Sequence, residues 1–438
     1  MTSARERGRI DRISPADAVE LATDTGPGSR AVGAALLLEH PDPARLAAVL
    51  GQRLGAVPRF HQRLRAAPPG CGRPYWVPCP PETVAAAVRL EAIHAADDQA
   101  LAGAAARELS RPLDGGGPLW RATVLVHRGA AVAVVLAMHH VLADGVGGLA
   151  VLAGVADHPA PGGPADPPGR APTGGPTSRE LLLDAWHERL RALTRPAAGW
   201  RRLRDGVREL GGPPRRAPRT ALNVPTGSAR AAHLAEVDLG ALRARTRPLG
   251  ATVNDALLVA VAEAAGAVLR STGEDPAELV VSVPVSSRRS TAGADLGNAV
   301  GVMPVRVPLR GPLADRVRKV SRTTRARLGA RGTSTAVLGP AFRALARLGV
   351  LHWWLDRQRL VNTFLTNLPG PPNVALAGAP VRRIVPIGVL AGNVGVAFAA
   401  LSYAGRLGVT VVTDPAAVPD GAALATHLNG TLARLAGG

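Results

Sequence analysis

The chain has 438 residues, more than one ordinary hydrophobic core contains, so two domains are expected. Hydrophobic residues make up 46% and charged residues 19%, a balance that excludes a wholly disordered chain. The formal charge is +19, and arginine accounts for nearly all of the positive charge, since Lys319 is the only lysine. Either a GC-rich genome that encodes arginine in place of lysine or an anionic ligand explains this charge, and both explanations stay open.

Nucleic acid is not indicated as the partner. No helix-turn-helix, zinc-finger or RNP pattern accompanies the charge, and aromatic residues, at 3%, are too few for base stacking. A basic surface suits a nucleotide phosphate, such as that of coenzyme A, or an anionic membrane face.

Cys71 and Cys79 are too few for a disulfide framework or a zinc cluster, so no metal is expected. Residues 1–12 lack the apolar segment of a secretory signal, which predicts a cytoplasmic protein.

The N-terminal part is predicted to mix helices and strands. Ser14 suits an N-cap position, and Pro15 suits the first position of a short helix. Apolar residues at helical spacing predict helices over 42–64 and 99–109. Apolar runs predict strands over 31–39, 122–127 and 130–138, the last two joined by a hairpin turn at Arg128-Gly129.

A Pro- and Gly-rich stretch, 158–176, predicts a linker, and a helical pattern over 179–210 follows it before a basic break at 211–218. The composition shift predicts an N-terminal subdomain over 1–157, an interdomain segment with a helix over 158–218 and a C-terminal subdomain over 219–438.

The C-terminal half begins again with a predicted strand over 231–237. An amphipathic helix is predicted over 252–271 and a further helix over 313–328. A strand over 279–284 precedes a polar loop over 286–295. Residues 384–405 have no formal charge and are long enough to cross a bilayer, but they contain one proline, several glycines and much valine. Two buried strands that turn at Gly392-Asn393 explain this segment better than a transmembrane helix.

Two adjacent histidines, His139 and His140, follow an apolar strand and precede Asp144 and a glycine-rich turn that starts at Gly145. Neighbouring residues on a strand point to opposite faces, so one histidine faces a core or cleft and the other faces away. A histidine beside a carboxylate suits general base catalysis at neutral pH. A purely structural histidine is the alternative; a metal site is disfavoured, because the two side chains cannot both face one ion.

The spacing His-His-x-x-x-Asp-Gly resembles the signature of the coenzyme A-dependent acyltransferase superfamily, which includes chloramphenicol acetyltransferases and nonribosomal peptide condensation domains. Further segments are similar to motifs of its wax ester synthase/diacylglycerol acyltransferase branch and occur in that branch's order. These segments are Pro118-Leu119-Trp120, the run that begins Asn254-Asp255, Pro284-Val285-Ser286-Ser287-Arg288, Gly297-Asn298, Thr366-Asn367-Leu368-Pro369-Gly370-Pro371 and Leu401-Ser402-Tyr403-Ala404-Gly405. The resemblance extends from residue 12 to about residue 414.

The resemblance implies an α/β fold of two chloramphenicol acetyltransferase-like subdomains, each a mixed β-sheet flanked by helices, with the active site in a tunnel between them. It implies transfer of an acyl group from acyl-CoA to an acceptor hydroxyl, of a long-chain alcohol or diacylglycerol, without a bound cofactor. His140 would be the general base, with His139 and Asp144 completing the catalytic motif. Asp144 would act mainly as a brace, with Arg288 as its candidate partner.

Other motif residues have simpler interpretations beside the functional one. Trp120 suits packing at the start of a strand. Asn254 and Asp255 suit the first turn of a helix, where they would cap it. Thr366 and Asn367 are candidates to bind the oxyanion or the substrate, with Asn254 as a third. The sequence departs from the family at residues 29–31, where Ser-Arg-Ala stands in place of a common Met-His pair, so acceptor contacts there are in doubt.

The sequence leaves two alternatives to this function. One is a specialised-metabolite O- or N-acyltransferase, whose donor is acyl-CoA or a carrier-protein thioester. The other is a non-catalytic binding protein with the same fold, which the intact histidine pair disfavours. Expected partners are acyl-CoA, an alcohol or amine acceptor, an acyl carrier protein, and a membrane or lipid-droplet surface in peripheral contact.

Overall fold

A computed structural model describes residues 10–24, 27–113, 116–142, 145–157, 175–193, 215–286, 300–326, 342, 344–371 and 373–438. Its strands are β1 (Ala31–Leu38), β2 (Gln62–Arg65), β3 (Tyr75–Pro78), β4 (Val88–Ala92), β5 (Trp120–His127), β6 (Ala130–His139), β7 (Ala231–Asp238), β8 (Glu278–Ser286), β9 (Val300–Pro308), β10 (Thr363–Pro369), β11 (Ala375–Leu376), β12 (Ala379–Ile387), β13 (Val396–Tyr403) and β14 (Arg406–Thr413). Its helices are α1 (Pro15–Ala22), α2 (Pro43–Gly55), α3 (Pro81–Ala85), α4 (Asp98–Ser110), α5 (Gly145–Val155), α6 (Ser178–Leu193), α7 (Leu239–Thr246), α8 (Val253–Ser271), α9 (Leu313–Ala326), α10 (Leu351–Leu355) and α11 (Gly421–Ala436).

Two six-stranded mixed sheets form the centre of the molecule. The first has the order β11-β12-β1-β6-β5-β4 and the second the order β7-β14-β13-β10-β8-β9. Helices α2 and α5 cover one face of the first sheet, and α7, α8, α9 and α11 pack on the second. Gln99 of α4 links the two sheets, because its side-chain amide donates to Ala232 O at 2.6 Å. The predicted α/β fold class is confirmed.

The predicted C-terminal range, 219–438, is wrong in one respect, because β11 and β12 belong to the first sheet. β12 pairs antiparallel with β1, which places Ile384 opposite Leu36. The pairing satisfies the backbone of an apolar strand that would otherwise lie at the edge of the sheet. Residues 384–405 do contain two strands, but they are not a hairpin: β12 lies in the first sheet and β13 in the second.

Local sequence signals set several helix ends. Ser14 caps α1 in a reciprocal capping box with Asp17, as the Ser-Pro pattern predicts. The helix predicted over 42–64 is wrong in its second half, because α2 ends at Gly55. A 3₁₀ turn follows, Pro58–His61, and then β2, since proline removes a backbone donor and ends the helical pattern.

The helix predicted over 252–271 exists as α8, but it is buried on nearly all sides rather than amphipathic. It packs against the second sheet and against α9 and α11. Within the described ranges, no single helix is long and apolar enough to cross a membrane; the bent pair Leu239–Leu249 and Val253–Ser271 passes on length and composition only. The linker at 158–174, the end of the helix predicted over 179–210 and the polar loop at 287–295 lie outside the described residues.

Candidate active site

The two adjacent histidines point in different directions, as strand geometry predicts. Leu136, Met138 and His140 project to one face of β6 and its extension, and all three line a cavity. His139 points to the opposite face and is buried, with 6% of its surface exposed. Only His140 therefore reaches the space in which a substrate could lie.

Both ring nitrogens of His139 are occupied. Its Nδ1 accepts a hydrogen bond from Val141 N at 3.1 Å, so the proton of the neutral ring lies on Nε2, which donates to Asp24 Oδ2 at 3.0 Å. This arrangement fixes the bend that follows β6. The contacts of His139 are therefore those of a structural residue, whereas the sequence motif placed it among the catalytic residues.

The cavity has a volume of about 780 Å³ and takes its wall from both sheets. β1, β6 and α5 contribute on one side, and β8, β9, β10 and β13 contribute on the other. Most of the wall is apolar, and its polar side chains are few: Glu20, Thr23, Arg30, His140, Arg215, Ser282, Arg306, Gln358 and Thr366. An apolar cavity with a few convergent polar groups is the usual form of a small-molecule site.

A carboxylate that the sequence did not single out, Glu20, lies close to His140. Helix α1 directs Ala16, Val19 and Glu20 into the cavity wall, and its C-cap residue Thr23 follows at the spacing of the same face. Burial alone would raise the pKa of Glu20, but the charges of Arg30 and His140 outweigh it and lower the pKa to about 2. Glu20 is therefore ionised at neutral pH. A glutamate within an otherwise apolar helical face is the signal that could have identified it.

Arg30 is the partner of Glu20. Its Nη2 donates to the Glu20 carboxylate and, at 3.0 Å, to Thr23 Oγ1. A second buried arginine, Arg230, donates to the carbonyl oxygens of Ser29, Ala31 and Gly388. Burial, followed by the charge of Arg30, lowers the pKa of Arg230 to about 10, so Arg230 stays protonated at neutral pH. Residues 29–31 are thus held by these contacts, and Arg30 contributes a charge to the cavity wall.

Trp120 does not reach the cavity. It is 2% exposed, its ring stacks on Phe60 with centroids 4.9 Å apart, and its Nε1 donates to Phe60 O at 2.9 Å.

The Asn254-Asp255 pair is likewise away from the cavity wall. Asp255 completes a capping box with Thr252 and accepts from Thr324 Oγ1 of α9 at 2.6 Å. The packing and capping interpretations therefore account for Trp120 and Asp255.

The two residues proposed to bind an oxyanion lie on opposite faces of β10. Phe364, Thr366 and Leu368 alternate along the cavity wall, whereas Asn367 does not line the cavity.

Asp144 and Arg288 lie outside the described residues, so their pairing stays a prediction. α5 begins at Gly145. The described residues contain no group of three His, Cys, Asp or Glu side chains that could hold a metal ion.

Two family models match most of the chain. The wax ester synthase/diacylglycerol acyltransferase catalytic domain matches residues 13–257, and the C-terminal domain of the same family matches residues 296–436. Among curated proteins, a probable diacylglycerol O-acyltransferase of Mycobacterium tuberculosis is 30% identical over 93% of this chain and 91% of its own length. A similarly named Mycobacterium bovis protein shows the same identity and coverage.

Solved structures agree on the fold. A wax ester synthase/diacylglycerol acyltransferase from Marinobacter aquaeolei superposes with a TM-score of 0.68 at 21% identity, covering 97% of this chain and 98% of its own. The starter condensation domain of rhizomide synthetase, in complex with C8-CoA and Leu-SNAC, has a TM-score of 0.60 at 16% identity and covers 98% and 93%. With the family models and the curated relatives, these matches show that the chain belongs to the wax ester synthase/diacylglycerol acyltransferase family and is an acyltransferase with the two-sheet fold of that family and of condensation domains.

Proposed function

We propose that the protein transfers an acyl group from acyl-CoA to the hydroxyl of an acceptor, with His140 as the general base. The observation behind this proposal is the divergence of the histidine pair: His140 lines the cavity, and His139 has both ring nitrogens engaged. Family membership supports the reaction class, and the condensation domain in complex with C8-CoA supports a thioester of coenzyme A as donor.

The reaction needs no covalent acyl-enzyme. The imidazole of His140 takes the proton of the acceptor hydroxyl as its oxygen attacks the thioester carbonyl carbon. The tetrahedral intermediate then collapses, the C–S bond breaks, and the thiolate of coenzyme A takes the proton back from the imidazolium. The products are an ester and free coenzyme A, and His140 returns to its neutral form.

Thr366 is the proposed donor to the oxyanion of that intermediate. It lines the cavity opposite the first sheet, whereas Asn367 and Asn254 do not line it. A hydroxyl in a mostly apolar cavity is a strong donor, because little water competes for the charge. The apolar part of the wall, with Phe342, Trp354 and Phe364, suits the acyl chain.

The names of the curated relatives favour diacylglycerol as acceptor, and the name of the family, wax ester synthase, favours a long-chain alcohol beside it. A second candidate is a specialised metabolite with a hydroxyl or amine, and a carrier-protein thioester remains the alternative donor. The observation that favours a more polar acceptor is the charged pair Glu20–Arg30 in the cavity wall.

A cytoplasmic location with peripheral contact to a membrane or lipid droplet is part of the proposal. Leu348 and Trp353 are 73% and 58% exposed, and both precede Trp354, which lines the cavity. The Arg357 guanidinium lies 4.9 Å from the Trp353 ring centroid. Exposed apolar side chains beside a cation are the usual components of an interfacial anchor, and here they would place the cavity next to lipid substrates.

Replacement of the base tests the proposal. We expect His140→Ala to lower thiol release from palmitoyl-CoA by at least about a hundredfold, with diacylglycerol, hexadecanol or small polar alcohols as acceptors. The melting temperature should stay near that of the wild type. The matched control is His427→Ala, because His427 is exposed on α11, and its turnover should be unchanged. Comparable turnover by the His140 variant would contradict the assignment.

A further inference from the structure

Two oppositely charged side chains stand in the cavity wall beside the proposed base. Glu20 and Arg30 are 19% and 9% exposed, and both line the cavity. Burial of an ion pair costs desolvation free energy, and apolar residues of similar volume often stabilise a fold as well or better. The stability of the fold alone therefore does not explain why these two charges lie here.

Arg30 is the cross-strand neighbour of His140. His140 N donates to Arg30 O at 3.2 Å, and the adjacent residues Ala31 and His139 are partners in the β1–β6 register. Residues opposite one another on antiparallel strands project to the same face, with Cβ atoms about 5 Å apart. A substrate whose hydroxyl lies against His140 is therefore within reach of the Arg30 guanidinium.

The Arg30 guanidinium keeps unused donor capacity. Both of its hydrogen bonds come from Nη2, so Nη1 donates none to the part of the chain that the structure describes, and Nε is buried there without a partner. Arg230 lies nearby and pairs only with backbone carbonyls in that same part. Two buried guanidinium groups thus lie beside the Glu20 carboxylate, which favours an electron-rich oxygen in the adjacent space.

We propose that Arg30, oriented by Glu20, binds a carbonyl oxygen that the acceptor substrate has next to its reacting hydroxyl. The proposal rests on acyl transfer at His140 and specifies its acceptor: an oxygenated alcohol, such as a partial ester of a polyol, in preference to a plain alkanol. Arg30 determines specificity by touching the substrate. Glu20 is a positioning residue, since it acts through Arg30.

A matched pair of acceptors tests this assignment. Octadecanol and 2-hydroxyethyl palmitate are similar in length, but only the second has a carbonyl near its hydroxyl. With palmitoyl-CoA as donor, we expect wild-type kcat/KM to favour the hydroxy ester by on the order of tenfold to a hundredfold, the range of a hydrogen bond to a charged group. Arg30→Met should reduce that ratio to near one, mainly by loss on the hydroxy ester. An unchanged ratio in the variant, or no preference in the wild type, would overturn the proposal.

The control is Arg121→Met, which also breaks a buried pair. Arg121 and Glu108 are 12% and 2% exposed and do not line the cavity, so the acceptor ratio should stay at its wild-type value. Arg30→Met leaves Glu20 as an unpaired buried charge, and it could fail to fold for that reason. The double variant Glu20→Leu/Arg30→Met removes both charges, and it is expected to show the same loss of preference.

Two further outcomes separate this proposal from the proposed function. If Arg30→Met slows both acceptors and the hydrolysis of palmitoyl-CoA by the same factor, the guanidinium acts on the thioester, and the acceptor assignment is overturned while acyl transfer stands. If the wild type releases no thiol with either acceptor, the proposed function itself fails, and the acceptor assignment falls with it.

Discussion

The pair of Glu20 and Arg30 makes the stability of the protein depend on pH. The pKa of Glu20 falls from 4.5 to about 2 in the folded protein, because the charges of Arg30 and His140 outweigh the effect of burial. Between these two values the unfolded chain binds more protons than the folded chain, so stability rises with pH there. At about 1.4 kcal/mol per pKa unit, the shift corresponds to about 3 kcal/mol. That contribution is fully present above pH 4.5 and is lost as the pH falls toward 2.

Urea unfolding of wild type and Glu20→Gln, measured between pH 7 and pH 3, checks this linkage. Glutamine keeps the size of the side chain but lacks the charge. We expect the variant to be less stable by up to about 3 kcal/mol at pH 7, with a difference that shrinks as the pH approaches 3. The control is Asp315→Asn, which breaks an exposed pair with Arg318 and should change little at any pH. A Glu20→Gln difference that stays constant across the range would refute the reasoning.

Two further substitutions test the cavity wall. Gly33→Ala should lower the melting temperature strongly, because a Cβ at Gly33 would lie 1.9 Å from Leu136 O in the neighbouring strand; a wild-type melting curve would contradict this packing. Thr366→Val should lower kcat by about a hundredfold with a smaller change in KM, since the hydroxyl is needed most in the transition state. Asn367→Val is its matched neighbour, and a larger loss of kcat from that substitution would show that the oxyanion donor is misassigned.

Local patterns predicted many elements correctly, because their ends depend on nearby residues. The cap at Ser14, the helix Asp98–Ser110 and the hairpin of Trp120–His127 with Ala130–His139 all follow from short-range signals. The error after Gly55 arose because an apolar pattern at helical spacing continued past the proline at which the chain changes direction. Propensity and periodicity describe neighbours along the chain, and they give little information on whether a helical pattern or a proline determines where the helix ends.

Long-range pairing was less accessible to prediction. The strand Ala379–Ile387 contains Arg382 and Arg383 among apolar residues, and nothing in this composition indicates that it joins the first sheet rather than the second. Glu20 shows the same limit within the site. Its place on the same helical face as Ala16 and Val19 was visible, but its partner Arg30 lies ten residues further along the chain, and the approach of His140 depends on the sheet.

The segment at residues 29–31 shows how a fold can keep its geometry while the chemistry of its cavity changes. Arg230 binds the carbonyl oxygens of Ser29 and Ala31, and the backbone N–H of His140 binds the carbonyl oxygen between them. All three constraints act on the backbone, so they do not depend on which side chain residue 30 has. A guanidinium can therefore stand next to the base without displacing β1. For the same reason, we expect substitutions of residue 30 to change the acceptor preference of this protein while β1 keeps its position.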